Sequence, residues 1–122
     1  MGVYRLPTHV EERIRKILDE GEEDFGEAAR DRYAALIVQA MQDVADKPDR
    51  PGSKADTKVD DGAMFYHIKY SRDRAGGPGN RVGKPRHILV YEPVEDGVVD
   101  ILGLIPDVIP FAIALPMFIP ER

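Results

Sequence analysis

Two histidines in the second half of the sequence lie among residues whose side chains suit acid–base chemistry on RNA. His67 and His87 occupy neighbouring strand-like segments, where they could face one another. A histidine or tyrosine can transfer protons, and an arginine or lysine can stabilise phosphate charge. The simpler interpretation is a row of half-exposed sheet residues whose polar ends reach water. The basic and aromatic residues close to both histidines in sequence are Tyr66, Lys69, Arg72, Arg86 and Tyr91.

The glycine-rich segment 71–85 is a second candidate, because the backbone N–H groups of such loops can bind phosphates. A P-loop requires serine or threonine directly after the Gly83-Lys84 pair, but the sequence has Pro85 there. A dinucleotide fingerprint requires a third glycine at the position of Val82. Both motifs therefore fail, and the segment is predicted to be a long, mobile, basic loop.

Other site chemistries also lack the residues they need. His9 and Glu12 are most simply a surface pair on the first helix. The chain contains no cysteine, which removes disulfides, thiolate zinc sites and cysteine nucleophiles. Ser53 and Ser71 lack the ordered partners that a serine nucleophile requires. We therefore expect neither a cofactor nor a metal.

Charge is distributed unevenly along the chain. The 122 residues, the usual size of one domain, carry a net charge of −5. Residues 47–91 hold 10 Lys and Arg against 5 Asp and Glu, whereas both flanking segments are acidic. A basic middle could attract an acidic partner or nucleic acid. No basic stretch followed by an apolar one is evident near the N-terminus, so we expect no signal peptide and a cytoplasmic protein.

Two amphipathic helices are predicted in the first half, after a short strand at Val3–Leu6. Thr8 begins the first helix, with Glu11 as its capping-box partner. The second helix runs from about Glu27 to Asp46. Both apolar stripes can be buried only if the helices fold back as an antiparallel hairpin. The stripe of the first helix contains Val10, Ile14, Ile17 and Leu18.

The apolar period changes from 3.6 to 2 after a predicted loop at 47–62. Strands are predicted at Met64–Tyr70, Arg86–Glu92 and Val98–Ile105, with a tight turn at Asp96-Gly97 before the last of them. The predicted fold class is α+β, with an N-terminal helical hairpin packed on a small antiparallel β-sheet.

The C-terminal segment is unusually apolar. Residues 101–119 carry one charge, that of Asp107, and are long enough for a bilayer. Three prolines within the segment argue against an inserted helix and against direct membrane contact. We expect residues 106–122 to form an irregular apolar arm that a partner covers. The candidate partner-binding residues lie on the first helix and near this arm: Ile14, Ile17, Leu18, Leu104, Asp107 and Phe111.

A succession of short pieces over nearly the whole chain resembles the ParE branch of the RelE/ParE toxin superfamily of bacterial type II toxin–antitoxin modules. The pieces are VYRL at 3–6, DFGEAARDRYAAL at 24–36, DKPDRPG at 46–52, YHIKYSRDR at 66–74, RHILVYE at 86–92 and GVVDILGLIPD at 97–107. The resemblance implies a β-α-α-β-β-β order and a toxin neutralised by a ParD-like antitoxin that wraps it. ParE-like members are associated with poisoning DNA gyrase, whereas RelE-like members cut messenger RNA on the ribosome.

For the ribonuclease branch, the resemblance points by position to Lys69, Arg86 and Tyr91, and His87 joins them as a candidate catalytic residue. The tail departs from the family, because apolar side chains replace its polar residues, and this weakens an RNA-cleaving role. Three hypotheses stay open. The first, which we prefer, is a toxin that binds gyrase without catalysis and forms a hetero-oligomer with its antitoxin. The others are a ribosome-dependent endoribonuclease and a non-toxic interaction module.

Overall fold

The computed structural model describes residues 1–58, 60, 62–75 and 81–119. Positions 59, 61, 76–80 and 120–122, which include parts of the predicted loops and of the predicted arm, lie outside the described residues. The fold is α+β, with three α-helices and a five-stranded sheet. The elements are β1 Val3–Arg5, α1 Thr8–Phe25, α2 Glu27–Asp46, β2 Ser53–Ala55, β3 Met64–His67, β4 His87–Glu95, β5 Val98–Pro106 and α3 Phe111–Phe118.

The predicted helical hairpin is confirmed. Gly26 alone separates α1 from α2, and its φ of 90° lies in the region that favours glycine. The start of α1 differs from the prediction, because its N-cap is Pro7 and no side chain caps it. Thr8 is already the first helical residue, so its hydroxyl is not placed to close the predicted capping box with Glu11. The Pro7 carbonyl instead accepts the N–H groups of Val10 and Glu11, at 3.0 and 3.1 Å.

The sheet is mixed rather than antiparallel. Its strand order is β1-β5-β4-β3-β2. β1 runs parallel to β5, with Val3 opposite Val98, while every other pair is antiparallel. The prediction of an antiparallel sheet is therefore wrong for β1, because alternating apolar residues mark a strand without indicating its neighbour or its direction.

Two further differences concern the middle of the chain. The predicted loop 47–62 contains β2, an edge strand that pairs Ser53 with Tyr66 and Ala55 with Met64. The strand predicted to reach Tyr70 ends at His67, where a 3-10 helix over Ile68–Ser71 begins. His67 Nδ1 accepts the Lys69 N–H at 3.1 Å, and this side-chain cap turns the chain out of the sheet.

The sheet is covered on both faces. On one face the hairpin packs over a cluster that includes Leu36, Val44, Leu89 and Leu104, all fully buried. The second face carries a smaller cluster to which α3 contributes. The sheet is therefore the middle layer of three, and burial of its apolar side chains on both faces is the main stabilising contribution.

The predicted arm is in large part a helix, and the inner side of α3 packs on the protein's own sheet. Phe111 stacks on Phe65, with ring centroids 4.2 Å apart and ring planes 5° apart. A Cβ at Gly103 would lie 2.9 Å from Ile119 Cγ1, so glycine permits the close approach of this segment to β5. Among the described residues, no helix combines the length and apolar character needed to cross a membrane.

A buried carboxylate joins α2 to the segment after β3. Asp43, with 8% of its side chain exposed, accepts hydrogen bonds from Ser71 Oγ, from Arg74 and, at 2.9 Å, from Gln39. Tyr66 contacts the same serine hydroxyl, with 2.8 Å between the two oxygens. Although burial opposes ionisation, the hydrogen bonds hold the pKa of Asp43 below its ordinary value.

Candidate functional site

A cleft of about 700 Å³ lies between the closed end of the helical hairpin and the segment that precedes β4. We call it the basic cleft. Its apolar lining comes from Ile17 and Leu18 of α1, Ala29 of α2, and Val82. Its charged and aromatic lining is formed by Arg13, Glu20, Asp24, Phe25, Arg30, Arg32, Tyr33, Arg81, Lys84, Arg86 and His87.

Positive charge dominates this lining, with six Arg and Lys side chains against two carboxylates. Two of the cations are neutralised by acidic residues nearby. Arg30 pairs with Asp19, and Arg81 Nε lies 3.0 Å from Asp73 Oδ1. No ion pair joins the other four to a carboxylate within the described part of the chain: Arg13, Arg32, Lys84 and Arg86. The cleft therefore carries an uncompensated positive charge although the whole chain is acidic.

A tyrosine–histidine pair lies at one end of the basic cleft. The Tyr33 hydroxyl lies 2.6 Å from His87 Nδ1 and accepts the backbone N–H of Arg86 at 3.0 Å. The direction of the Tyr33–His87 hydrogen bond depends on the tautomer of His87. The hydroxyl donates if Nδ1 is unprotonated and accepts if Nδ1 carries the proton. The two rings meet edge to face, with centroids 5.6 Å apart.

Burial and neighbouring charge both keep this pair neutral. Burial, followed by the positive charge of Arg13, lowers the pKa of His87 to about 4. Burial also raises the pKa of Tyr33 to about 12. Near pH 7 the pair can donate and accept hydrogen bonds, but neither member carries a charge.

The lowered pKa of His87 predicts a stability loss in mild acid. Unfolded histidine titrates near its ordinary value of 6.5, while folded His87 titrates at about 4. Between these values the unfolded chain binds a proton that the folded chain does not, so His87 favours unfolding progressively as pH falls from about 6.5 to about 4. Urea unfolding at pH 7.0 and 5.0 measures the loss.

His87→Gln is the comparison variant for this prediction, because glutamine retains polar groups but does not titrate. The decline in unfolding free energy between pH 7.0 and 5.0 should be smaller in His87→Gln than in the unmodified protein. A two-dimensional NMR titration of the His87 ring should show a midpoint near pH 4, the lowered pKa of the folded state. A midpoint above 6 would contradict the prediction.

The other histidine, His67, also forms a side-chain pair, which lies on the opposite face of the sheet from Tyr33 and His87. His67 Nε2 lies 3.0 Å from Asp107 Oδ2, just beyond the end of β5. Across the β3–β4 ladder His67 is opposite Ile88, not His87. Directly opposite residues share a face and successive residues alternate, so the two histidines point to opposite faces. The sequence-based expectation that they could face one another is wrong.

Arg13 connects the basic cleft with α3. Its guanidinium carbon lies 4.5 Å from the centroid of the Phe118 ring, a cation–π contact. Arg13 Nε is buried and has no hydrogen-bond partner among the described residues. Burial lowers the pKa of Arg13. The Nε–H group of Arg13 has therefore lost hydration that no hydrogen-bond acceptor among the described residues replaces.

The candidate catalytic residues are dispersed. Tyr91 is fully buried, its hydroxyl donates to the Pro48 carbonyl, and burial raises its pKa to about 12. Lys69 is exposed on the 3-10 helix, with Nζ 5.2 Å from the Tyr70 ring. Of the four candidates, which are Lys69, Arg86, His87 and Tyr91, only Arg86 and His87 line the basic cleft. The structure therefore does not gather the predicted set into one site.

Most candidate partner-binding residues contribute to the protein's own packing. Leu104 is fully buried and Ile17 nearly so, while Ile14 packs against the same cluster. Leu18 is half-buried on the floor of the basic cleft. Phe111 packs on the sheet through its stack with Phe65, and Asp107 is held by His67.

Comparison of the sequence with protein-family models and with curated proteins finds no match. The site must therefore be interpreted from its own geometry. Within the described residues, no group of three or more His, Cys, Asp or Glu side chains is arranged to hold a metal ion.

Exposed apolar side chains lie on the side of α3 that faces away from the sheet. Ile113 and Met117 expose 54% and 62% of their surface, and because they are four residues apart they share one face of the helix. Val108, in the turn before α3, exposes 74% of its surface. We call Ile113 and Met117 the α3 outer face. Exposed apolar surface of this kind is typical of a contact with another molecule.

Sequence reasoning missed the basic cleft, and with it Arg13, Tyr33 and Arg32. Helical periodicity places Arg13 opposite the apolar stripe of the first helix and Tyr33 in the apolar stripe of the second. One signal was present, since Arg13 is four residues before Ile17 and thus borders the apolar stripe. The contact with Phe118 joins residues far apart in sequence, so helical periodicity could not predict it.

Proposed function

We propose that this protein is the toxin component of a type II toxin–antitoxin module, that it acts in the cytoplasm by binding DNA gyrase, and that a ParD-like antitoxin neutralises it in a hetero-oligomer. The α3 outer face is the observation that carries the proposal. An α-helix that is apolar on both sides is suited to packing between the protein's own sheet and a second protein. The antitoxin segment that wraps the toxin is the occupant that we assign to it.

The order of elements supports the same proposal. A helical hairpin separates β1 from the later strands, as the sequence resemblance implies. The chain adds β2 and α3 to that order, and α3 carries the surface assigned to the antitoxin.

The placement of the titratable groups favours binding over catalysis. Tyr91 is buried in the core, and His67 and His87 point to opposite faces of the sheet. The Tyr33–His87 pair is neutral and internally hydrogen-bonded. Proton transfer to a substrate would require this pair to exchange its internal bond for one to the substrate.

Charged substitutions on the α3 outer face should weaken antitoxin binding. Ile113→Asp and Met117→Asp each place a carboxylate where the proposed contact buries apolar surface, so we expect at least about a thirtyfold loss, or ~2 kcal/mol. Val38→Asp on α2 is the matched control, because Val38 exposes 53% of its surface away from α3. Affinity for the product of the neighbouring reading frame, measured by titration calorimetry, gives the comparison. Equal affinities for all three variants would exclude the α3 outer face as the contact.

Induction in bacteria tests the function itself. Expression without the antitoxin should stop growth and damage DNA, and the purified protein should inhibit supercoiling by gyrase. Co-expression of the antitoxin should restore growth. Unimpaired growth and unchanged supercoiling, together with a stable complex, would replace the toxin proposal with the non-toxic interaction module.

A ribosome-dependent endoribonuclease is the second candidate. It is favoured by one observation, the placement of Arg86 and the Tyr33–His87 pair at the same cationic cleft. In that case Arg86 would stabilise phosphate charge and His87 would transfer a proton. Primer extension on messenger RNA after induction separates the candidates, because cleavage sites should appear for the ribonuclease and be absent for the gyrase inhibitor.

A further inference from the structure

The basic cleft has the features of a binding site for a small anion-bearing molecule. This open cleft has a volume of about 700 Å³, within the range of pockets that hold small ligands. Four of its cations form no ion pair with a carboxylate within the described part of the chain. An apolar floor and unpaired positive charge in one cleft suit a ligand that has both an apolar body and a negatively charged group.

Arg13 is the strongest indication of an anion. Its Nε is buried and unpartnered among the described residues, and one side of its guanidinium is covered by Phe118. Arginine presents several N–H donors in a plane, which matches phosphate or carboxylate oxygens. Because Nε has almost no accessible surface, an anion in the cleft would contact the part of the Arg13 side chain that lines the cleft and would balance its charge there.

An aromatic side chain stands beside the cations. Phe25, at the end of α1, lines the basic cleft and exposes 78% of its surface. A phenylalanine this exposed can stack with a planar base, and base–aromatic stacking is sequence-tolerant. The cleft thus offers separate surfaces for a phosphate and for a nucleobase.

The surroundings of the basic cleft disfavour a long polyanion. Acidic residues of α1 and the start of α2 lie on its hairpin side, where Glu20 and Asp24 also line the cleft, and together they would repel a phosphate backbone that ran along this side. The same residues would repel an acidic peptide. They are Asp19, Glu20, Glu22, Glu23, Asp24 and Glu27.

We propose that the basic cleft binds a nucleoside phosphate, with the phosphate held by Arg13, Lys84 and Arg86 and the base stacked on Phe25. His87 lines the same space. The site shares no residue with the α3 outer face, because neither Ile113 nor Met117 lines the cleft.

Titration calorimetry with nucleoside 5′-monophosphates, diphosphates, unphosphorylated nucleosides and inorganic phosphate tests the proposal. At least one nucleoside phosphate should bind about tenfold more tightly than inorganic phosphate and than its parent nucleoside, because it alone uses both surfaces of the cleft. Arg13→Gln should weaken binding by about 10- to 100-fold, the usual effect of losing a hydrogen bond to a charged group. Arg15→Gln, on the solvent side of the same helix, should change affinity by less than about twofold.

A second variant separates binding from folding. Arg13 also packs on Phe118, so Arg13→Gln could alter α3, whereas Lys84 and Arg86 are exposed and can be changed to glutamine together without disturbing the core. The double variant should lose binding to the same extent while its urea unfolding midpoint is unchanged. NMR signals of the His87 ring should move on addition of the nucleotide and remain unmoved in the double variant.

Three results would overturn the proposal. One is absence of binding by every nucleoside phosphate at millimolar concentration to the folded protein. Another is equal affinity in the unmodified protein, Arg13→Gln and the double variant. The third is an affinity that increases steadily with the length of single-stranded RNA, or a preference for an acidic peptide over nucleotides, either of which would assign the cleft to a macromolecule.

Discussion

Replacing Asp43 by alanine is expected to lower the free energy of unfolding by about 3 kcal/mol, because it removes a buried carboxylate that accepts several hydrogen bonds. The carboxylate accepts hydrogen bonds from Ser71, Arg74 and Gln39. Its loss leaves the buried serine hydroxyl with Tyr66 as its remaining contact and leaves the arginine without its counter-charge. Because the contacts join α2 to the segment after β3, the substitution weakens the attachment of the hairpin to the sheet.

Urea unfolding at pH 7 measures this effect. Asp31→Ala is the matched control, because Asp31 is exposed on the same helix and should change stability by less than about 0.5 kcal/mol. The lowered pKa of Asp43 means that its stabilising contribution is present above the ordinary carboxyl pKa and is lost as pH falls through the folded value. The difference between Asp43→Ala and the unmodified protein should therefore narrow in strong acid. Equal stabilities of Asp43→Ala and Asp31→Ala at pH 7 would contradict the prediction.

Leu104→Ala should cost about 3 kcal/mol of unfolding free energy, within the range for leucine to alanine in a core. Leu104 is fully buried on β5, opposite Leu89 of β4 and beneath the helical hairpin. Truncation removes apolar burial and leaves a cavity that its neighbours on two layers cannot easily fill.

Ile113→Ala is the matched control for this second prediction. Ile113 is also a large aliphatic residue of the C-terminal region, but it exposes 54% of its surface. Its truncation should change stability by less than about 0.5 kcal/mol. Thermal or urea unfolding of both variants provides the test, and a Leu104→Ala effect no larger than that of Ile113→Ala would show that Leu104 is not a core residue.

The helices of the hairpin could be predicted from the sequence because their evidence is local. Val10, Ile14 and Ile17 repeat at helical spacing, and the glycine at 26 interrupts the pattern where the chain reverses. β4 and β5 were also identifiable, since Asp96-Gly97 marks the turn between two runs of apolar residues, and Gly97 has a φ of 79°.

The elements that escaped prediction depend on contacts distant in sequence. Ser53–Ala55 is polar and short, and only its pairing with β3 makes it a strand. In α3 the prolines indicated an irregular chain. Pro110 in fact precedes the first turn, where its carbonyl accepts the N–H groups of Ile113 and Ala114. Pro116 removes one helical donor, and packing on the sheet stabilises the helix despite that loss.

The basic cleft could not be predicted from the sequence because it, too, depends on contacts between residues distant in sequence. Its tyrosine–histidine pair joins residues 54 positions apart, in α2 and β4. The sequence identified His87 and Arg86 as residues with chemically reactive side chains, and it grouped them with Tyr91 of the same predicted strand. In the structure the Tyr91 side chain lies in the core instead. Residue type could be predicted, whereas the neighbours that decide the chemistry could not.

The parallel pairing of β1 with β5 has a consequence for synthesis on the ribosome. Val3 pairs with Val98 and Arg5 with Asp100, so β1, which is synthesised first, cannot pair with β5 until β5 has been synthesised. At about 5–20 residues per second, β1 spends several seconds without its neighbour while the helices and other strands are made. The hairpin can form during this interval, but the sheet can close only after β5 has left the exit tunnel. We therefore expect the final folding step to follow the emergence of β5, with β1 the last strand to add to the sheet.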